Sequence, residues 1–236
     1  MNSLSVARSI CLSAASLTAA FAMGLALVLA AGCSSLLPKP PPQPAFYSLD
    51  GAAATRPALA RAALPTEMEM ERVAPTLIVN PPRASAGFDS QRIIYTRESH
   101  RLEYFAHSEW ADTPARMLAP LLVAALDDKL AFRAVVMAAS VAAGDLRLDT
   151  EIVRLQQNFD AQPSRVRFTL RAVMVDNATR RVLAWREFDE TVAATRDDPQ
   201  GGVVAANRAV QTVLHQVASF CVEAAGSWRP ASTLTP

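Results

Sequence analysis

The stretch that decides the fold is Arg165-Val-Arg-Phe-Thr-Leu-Arg-Ala-Val-Met-Val-Asp176. Its apolar residues recur at every second position, and arginines and a threonine stand between them. Successive side chains of a β-strand point to opposite faces, so this alternation predicts a strand buried on one face and exposed on the other. The apolar positions are Val166, Phe168, Leu170, Ala172 and Met174.

Further strands are predicted on both sides of this stretch. A turn over residues 176–179 leads to a strand over 181–193, and Phe132–Ala138 precedes the run. In residues 146–159 the apolar residues switch from even-numbered to odd-numbered positions, which predicts a β-bulge near residues 152–153. Its first set is Leu146, Leu148, Thr150 and Ile152, and its second set is Val153, Leu155 and Phe159.

Two helices are predicted, one before these strands and one after them. Thr113 and Pro114 are typical of a helix start, and Pro120 is expected to kink that helix. The last helix covers roughly residues 200–225 and carries an apolar stripe. Earlier strands are predicted at 46–49 and 76–79, with a hairpin formed by 91–96 and 101–105. We therefore predict an α+β fold: a mostly antiparallel sheet with two main helices packed on one face.

The N-terminus resembles a bacterial lipoprotein signal. No charged residue occurs from Ser9 to Ser35, and the run contains Leu29-Ala-Ala-Gly-Cys33, a lipobox with Leu one place earlier than usual. We predict that residues 1–32 are cleaved and that Cys33 is lipidated. A transmembrane anchor is the alternative, because the run is long enough to cross a bilayer.

The rest of the chain divides into a tether, one domain and a tail. Residues 33–45 contain five prolines and predict an extended spacer behind the lipidated cysteine. We predict a single domain over 46–228, with an Ala-rich linker or loose helix at 51–74, and a flexible tail at 229–236. Removing residues 1–32 takes away only Arg8, which leaves 22 basic and 22 acidic residues. A neutral chain gives no electrostatic basis for nucleic-acid binding.

No catalytic, cofactor or metal site is predicted. The histidines lack a third ligand nearby, the paired aspartates suit a helix end and a turn, and the glycine pair lacks the other residues of a phosphate loop. The arginines of the central strand are interpreted as a solvated face paired to neighbouring Glu and Asp, and the alternative is that they meet acidic lipid headgroups or a partner. Cys221 is interpreted as a core residue or as a reactive thiol. The residues in question are His100, His107, His215, Asp127, Asp128, Asp197, Asp198, Gly201, Gly202, Arg165, Arg167 and Arg171.

Residues 88–130 resemble a known family. The segments are Phe88-Asp-Ser-Gln-Arg-Ile-Ile-Tyr95, Leu102-Glu-Tyr-Phe105, Glu109-Trp-Ala-Asp112 and the helix after them. They are similar to the ABC-type transport auxiliary lipoproteins of the paraquat-inducible protein C type, which accompany MCE-domain lipid transport systems. The resemblance implies a non-enzymatic lipoprotein at the periplasmic face of the outer membrane, held in the bilayer by acylated Cys33 and docking on an MCE-domain protein. It also implies that copies self-assemble into rings.

Four residues are predicted to belong to the docking surface, because aromatic and arginine side chains dominate binding hot spots. They are Arg92, Tyr95, Tyr104 and Trp110. The alternative is that the aromatic residues pack in the core with one polar tip. Two other functions stay open: a periplasmic lipid-binding carrier, which requires an apolar cavity, and a scaffold lipoprotein for envelope assembly.

Overall fold

The computed structural model describes residues 43–50, 74–138 and 144–230, which form nine strands and two helices. The strands are β1 (Ala45–Tyr47), β2 (Thr76–Val79), β3 (Arg83–Ala84), β4 (Arg92–Thr96), β5 (Glu103–Trp110), β6 (Ala134–Met137), β7 (Leu146–Asn158), β8 (Arg165–Asp176) and β9 (Val182–Ala193), and the helices are α1 (Pro114–Asp127) and α2 (Pro199–Gly226). The predicted signal peptide, Cys33, most of the tether, nearly all of the 51–74 linker and most of the tail lie outside the described residues.

Three long antiparallel strands carry the fold. β8 pairs with β7 over residues 146–158 and with β9 over residues 182–193. The register between β7 and β8 shifts between Ile152 and Arg154, which confirms the predicted bulge. The apolar residues of β8 face the core, and Phe168 is completely buried.

The opposite edge of β7 pairs with three short strands, each of them parallel to it. β2, β3 and β4 follow one another along this edge, at residues 146–148, 151–152 and 157–158. β6 extends the sheet beyond β2, and β5 and then β1 extend it beyond β4. The sheet is mixed, but its longest pairings are antiparallel, which confirms the α+β fold with a mostly antiparallel sheet. The parallel pairings were not predicted, since their partners lie far apart in the sequence.

α1 begins where the sequence indicates. Thr113 is the N-cap residue in extended conformation and Pro114 occupies the first turn, although the Thr113 side chain makes no capping hydrogen bond. Asp112 Oδ1 instead accepts a hydrogen bond from the Thr113 backbone N–H. Pro120 lies inside the helix on its exposed side, while Leu118, Leu122 and Leu126 on the other side are buried. Pro120 has no backbone N–H to donate within the helix, but its exposed position leaves the packing of the buried leucines undisturbed.

α2 begins in a tightly packed corner. Asp198 caps it by accepting a hydrogen bond from the Gly201 N–H at 2.7 Å. A methyl group at Gly201 would collide with the backbone of Arg196, and one at Gly202 would collide with the buried Gln157 amide. Gly201 and Gly202 thus allow the start of α2 to pack closely against its surroundings, because a side chain at either position would collide with them.

The end of α2 is fastened to the β8–β9 turn. Trp228 Nε1 donates a hydrogen bond to Asp176 Oδ2 at 3.1 Å, and the backbone N–H groups of Ala178 and Thr179 donate to Asp176 Oδ1. Asp176 is buried, and the hydrogen bond from the Thr179 backbone is the main reason that its pKa is lowered. One carboxylate therefore orders the turn and holds the chain after the helix.

Replacing this carboxylate is expected to lower stability in a pH-dependent way. Asp176→Asn should reduce the free energy of unfolding by about 1–3 kcal/mol at neutral pH, because charge-assisted hydrogen bonds are lost. A carboxyl whose folded pKa is lowered contributes stability above its unfolded pKa of about 4 and loses it as the pH falls through the folded pKa. The difference between wild type and variant should therefore shrink in urea titrations below about pH 4. A constant difference across that range would contradict this role.

Candidate docking surface

The candidate surface lies on the outer face of β1, β5 and β4. Phe46 is in register with Glu109, and Glu109 is in register with Arg92, so the three side chains share one face. The next pair along β1 and β5 is Tyr47 and Trp110, and Trp110 is only 3% exposed. That pair faces the core, and Phe46 consequently faces solvent.

Tyr104 joins this face from the other end of β5. It is in register with Ile94, two residues after Arg92 on β4. The Arg92 guanidinium carbon lies 3.9 Å above the centre of the Tyr104 ring, a cation–π contact. We call Phe46, Arg92, Tyr104 and Glu109 the aromatic–arginine patch. The Phe46 and Tyr104 residues are 62% and 51% exposed, which is unusual for aromatic residues unless they contact a partner.

Two of the four predicted docking residues are buried. Trp110 packs in the core, and Tyr95 is 8% exposed and stacks on Phe105, with ring centres 4.5 Å apart. The Tyr95 hydroxyl donates to Glu103 Oε2 at 3.0 Å, and burial followed by this contact raises its pKa. Tyr95 and Trp110 therefore occupy the positions that the alternative interpretation predicts, in which the aromatic residues pack in the core. Only Arg92 and Tyr104 are brought together at the surface, and partner binding by them stays a prediction.

Phe46 was missed as a surface residue, although the sequence contains a signal for it. Tyr47 is partly buried against the core and Leu49 is fully buried, so alternation along 46–49 directs Phe46 outward. The segment is held by both helices. The Leu49 N–H contacts Met117 Sδ at 3.5 Å, and the Asp50 N–H donates to Asn207 Oδ1 at 2.7 Å. These contacts support β1 and its exposed aromatic side chain.

The other candidate residues have structural surroundings. His100 lies in the β4–β5 turn with a φ of 68°, and His107 and His215 are exposed. Asp197 accepts a hydrogen bond from the Ser164 backbone N–H, which lowers its pKa, while Asp198 caps α2. Within the described part of the chain, no three His, Cys, Asp or Glu residues gather as a metal site would.

Cys221 is completely buried in α2, and burial raises the pKa of its thiol to about 12. A thiol with this pKa is protonated at neutral pH and is a poor nucleophile. The structure thus supports the interpretation of Cys221 as a small apolar core residue.

Two of the three arginines of β8 pair with neighbouring acids. Arg171 bridges Glu151 at 3.2 Å and Glu187 at 2.9 Å across three strands. Arg167 pairs with Asp189 at 2.6 Å, and that contact is the main cause of a raised Arg167 pKa and a lowered Asp189 pKa. These ion pairs support the simpler interpretation of this face, a solvated surface paired to Glu and Asp.

The class of protein follows from this architecture: an α+β domain built on a mixed sheet with two helices on one face. The chain belongs to the family described as ABC-type transport auxiliary lipoprotein component, whose sequence model matches residues 58–218. Membership makes it a lipoprotein component that accompanies ABC-type transport and a membrane-anchored protein of the cell envelope. None of the curated proteins matches the chain.

Solved structures share the fold. A Xanthomonas campestris protein of the DUF330 family is 21% identical, with a TM-score of 0.61 over 65% of this chain and 87% of that protein. A crystal structure of an uncharacterized protein is 13% identical, with a TM-score of 0.57 over 76% of this chain and 99% of that one. At these identities the likeness concerns the fold. Neither helix among the described residues is long and apolar enough to cross a membrane.

Proposed function

We propose that this protein is an outer-membrane lipoprotein that docks, without catalysis of its own, on an MCE-domain protein of an ABC-driven intermembrane lipid transport system. Membership of the auxiliary lipoprotein family supports the transport role. The observation that carries the docking role is the aromatic–arginine patch, where Arg92 stacks on Tyr104 beside exposed Phe46.

The anchor is proposed to be Cys33, at the end of the lipobox. One acyl chain gives marginal membrane binding, whereas the two or three chains of a bacterial lipoprotein hold firmly. β1 begins at Ala45, only twelve residues after Cys33. One residue of the patch, Phe46, is therefore only thirteen residues from the anchor. A tethered surface of this kind raises the effective concentration of its partner. Self-association into rings stays a prediction.

A lipid carrier is the second candidate function. It requires an apolar cavity, and the space enclosed between the described parts of the sheet and α2 is small. Between the sheet and α2, next to Gln157 and Val203, the cavity volume is about 10 Å³, enough for one water molecule. A hollow of about 590 Å³ lies at the surface beside Trp228 and Val222 rather than inside the sandwich. Stoichiometric phospholipid in the purified protein would favour the carrier over the docking role.

The deciding experiment is affinity purification of the full-length, lipidated protein from gently solubilised membranes, followed by mass spectrometry. We expect an MCE-domain protein to be recovered. The double variant Arg92→Glu/Tyr104→Ser should reduce its recovery at least about tenfold, as hot-spot truncations do. Trp110 is unsuitable for this test because its replacement would create a cavity in the core.

The matched control is Arg116→Glu/Leu130→Ser, which alters an exposed arginine and an exposed apolar residue outside the patch. This variant should keep its partner. Recovery of unrelated envelope proteins instead would favour the scaffold role, and equal loss in both double variants would remove the patch from the interface. Cys33→Ser tests the anchor separately, since the variant should lose the lipid-modified N-terminal peptide in the mass spectrum.

A further inference from the structure

A second exposed feature lies at the turn between β8 and β9. Trp185 is 65% exposed, the largest exposed fraction of any large apolar residue in the described part of the chain, and Val182 is also exposed. Val182 is in register with Val175 and Trp185 with Val173, and these two valines have the same parity on β8 as Arg171. A register shift beside Val175 puts these two residues on the same face, although they stand three apart in sequence.

The same turn carries two positively charged side chains. Arg180 and Arg181 are exposed in the turn, and neither side chain forms an ion pair with any described residue. Arg229, which follows Trp228, directs its guanidinium to the backbone carbonyls of Gly226 and Trp228. The Asp176 carboxylate is buried and occupied by Trp228 and the turn. This differs from the middle of the same face, where Arg167 and Arg171 are paired with acids.

We infer that this basic hairpin tip, formed by Arg180, Arg181, Val182 and Trp185, binds the surface of an anionic phospholipid membrane. Arginines next to a bilayer are attracted by acidic headgroups, and tryptophan favours the interface because its ring is apolar and its N–H is polar. Charge and apolar surface act together here, as they do in interfacial membrane segments. The tip consists of four residues at a hairpin end, far fewer than the roughly 20–30 residues that each partner contributes to a stable protein complex.

The position of the tip leaves the aromatic–arginine patch free. The tip adjoins the Leu146 end of β7, whereas β4 pairs at Gln157 and Asn158. The eleven steps from 146 to 157 span roughly 36 Å along the strand. Membrane contact at the tip is therefore compatible with a partner at the patch, and the inference rests on the hairpin rather than on the proposed function.

The test uses the full chain, purified from membranes and inserted through its own N-terminal anchor into nanodiscs of phosphatidylcholine. These are mixed with vesicles of phosphatidylcholine alone or of an equimolar mixture with phosphatidylglycerol, and co-flotation is measured. We expect at least about tenfold more nanodisc on the anionic vesicles, and less as salt is raised. Arg180→Glu/Arg181→Glu should return binding to the level of neutral vesicles, and Trp185→Ser should weaken it about threefold.

Arg101→Glu/Arg116→Glu changes the net charge by the same amount at exposed arginines elsewhere and should bind like wild type. Equal binding to both vesicles, or equal loss in both double variants, would overturn the inference. Retention on poly-glutamate beads without binding to anionic vesicles would assign the tip to an acidic protein and also overturn it. Circular dichroism melting checks that each variant is folded. If the double variant Arg180→Glu/Arg181→Glu is not folded, the single variant Arg181→Glu replaces it.

Discussion

Phe168→Ala is expected to lower the free energy of unfolding by about 3–5 kcal/mol, a large part of the stability of an ordinary domain. Phe168 is completely buried on β8, the central strand of the three long ones. Its removal takes away the transfer free energy of the ring and leaves a cavity that the surrounding strands and helices cannot fill. Urea denaturation followed by circular dichroism measures the change.

Trp185→Ala is the matched control for this prediction. It removes an aromatic ring from the neighbouring strand at a position that is mostly exposed. We expect a change within about 0.5 kcal/mol, because a surface substitution neither creates a cavity nor leaves a polar group unpaired. Equal losses for the two variants would mean that the core does not lie between the sheet and the helices.

Gly201→Ala is expected to destabilise the protein by about 3 kcal/mol, although alanine ordinarily favours a helix over glycine by about 1 kcal/mol. The added methyl group would collide with the backbone of Arg196, which unlike a flexible side chain cannot turn aside. Relief would require the first turn of α2 to move, and this would disturb the cap that Asp198 provides. Thermal and urea unfolding both report the effect.

Gly226→Ala makes the same chemical change at the other end of α2. A methyl group there meets no atom of the described residues within 4 Å, so stability should change by less than about 0.5 kcal/mol. If the two alanine variants were equally stable, close packing would not be the reason for glycine at position 201.

The sequence predicted most of the elements, because their signals are local. Alternation identified β8 and β9, a change of parity located the bulge in β7, and Thr113-Pro114 marked the start of α1. Gly201 and Gly202 could be excluded as a phosphate loop from sequence. Their packing role could not be predicted, since it depends on Arg196 and on Gln157 from a distant strand.

The surface position of the four residues predicted to dock could be read from the sequence only in part. Tyr104 and Trp110 are both even-numbered residues of β5, and strict alternation would place them on one face. Between Tyr104 and Glu109, however, five steps of β5 lie opposite only two steps of β4, so Tyr104 turns outward with Arg92 while Trp110 enters the core. Local pattern cannot reveal such a register shift, because it arises from how two strands fit together.

The amino-acid sequence by itself determined the α+β class, the order of strands and helices, and a net charge of only +1, because periodicity, capping residues and composition can be read from the sequence alone. Only the tertiary structure decided the parallel pairing of β2, β3 and β4 along β7, the outward position of Tyr104 and the exposure of the arginines at the hairpin tip. Each of these depends on contacts between residues distant in the chain, where packing of the whole sheet overrides local preference.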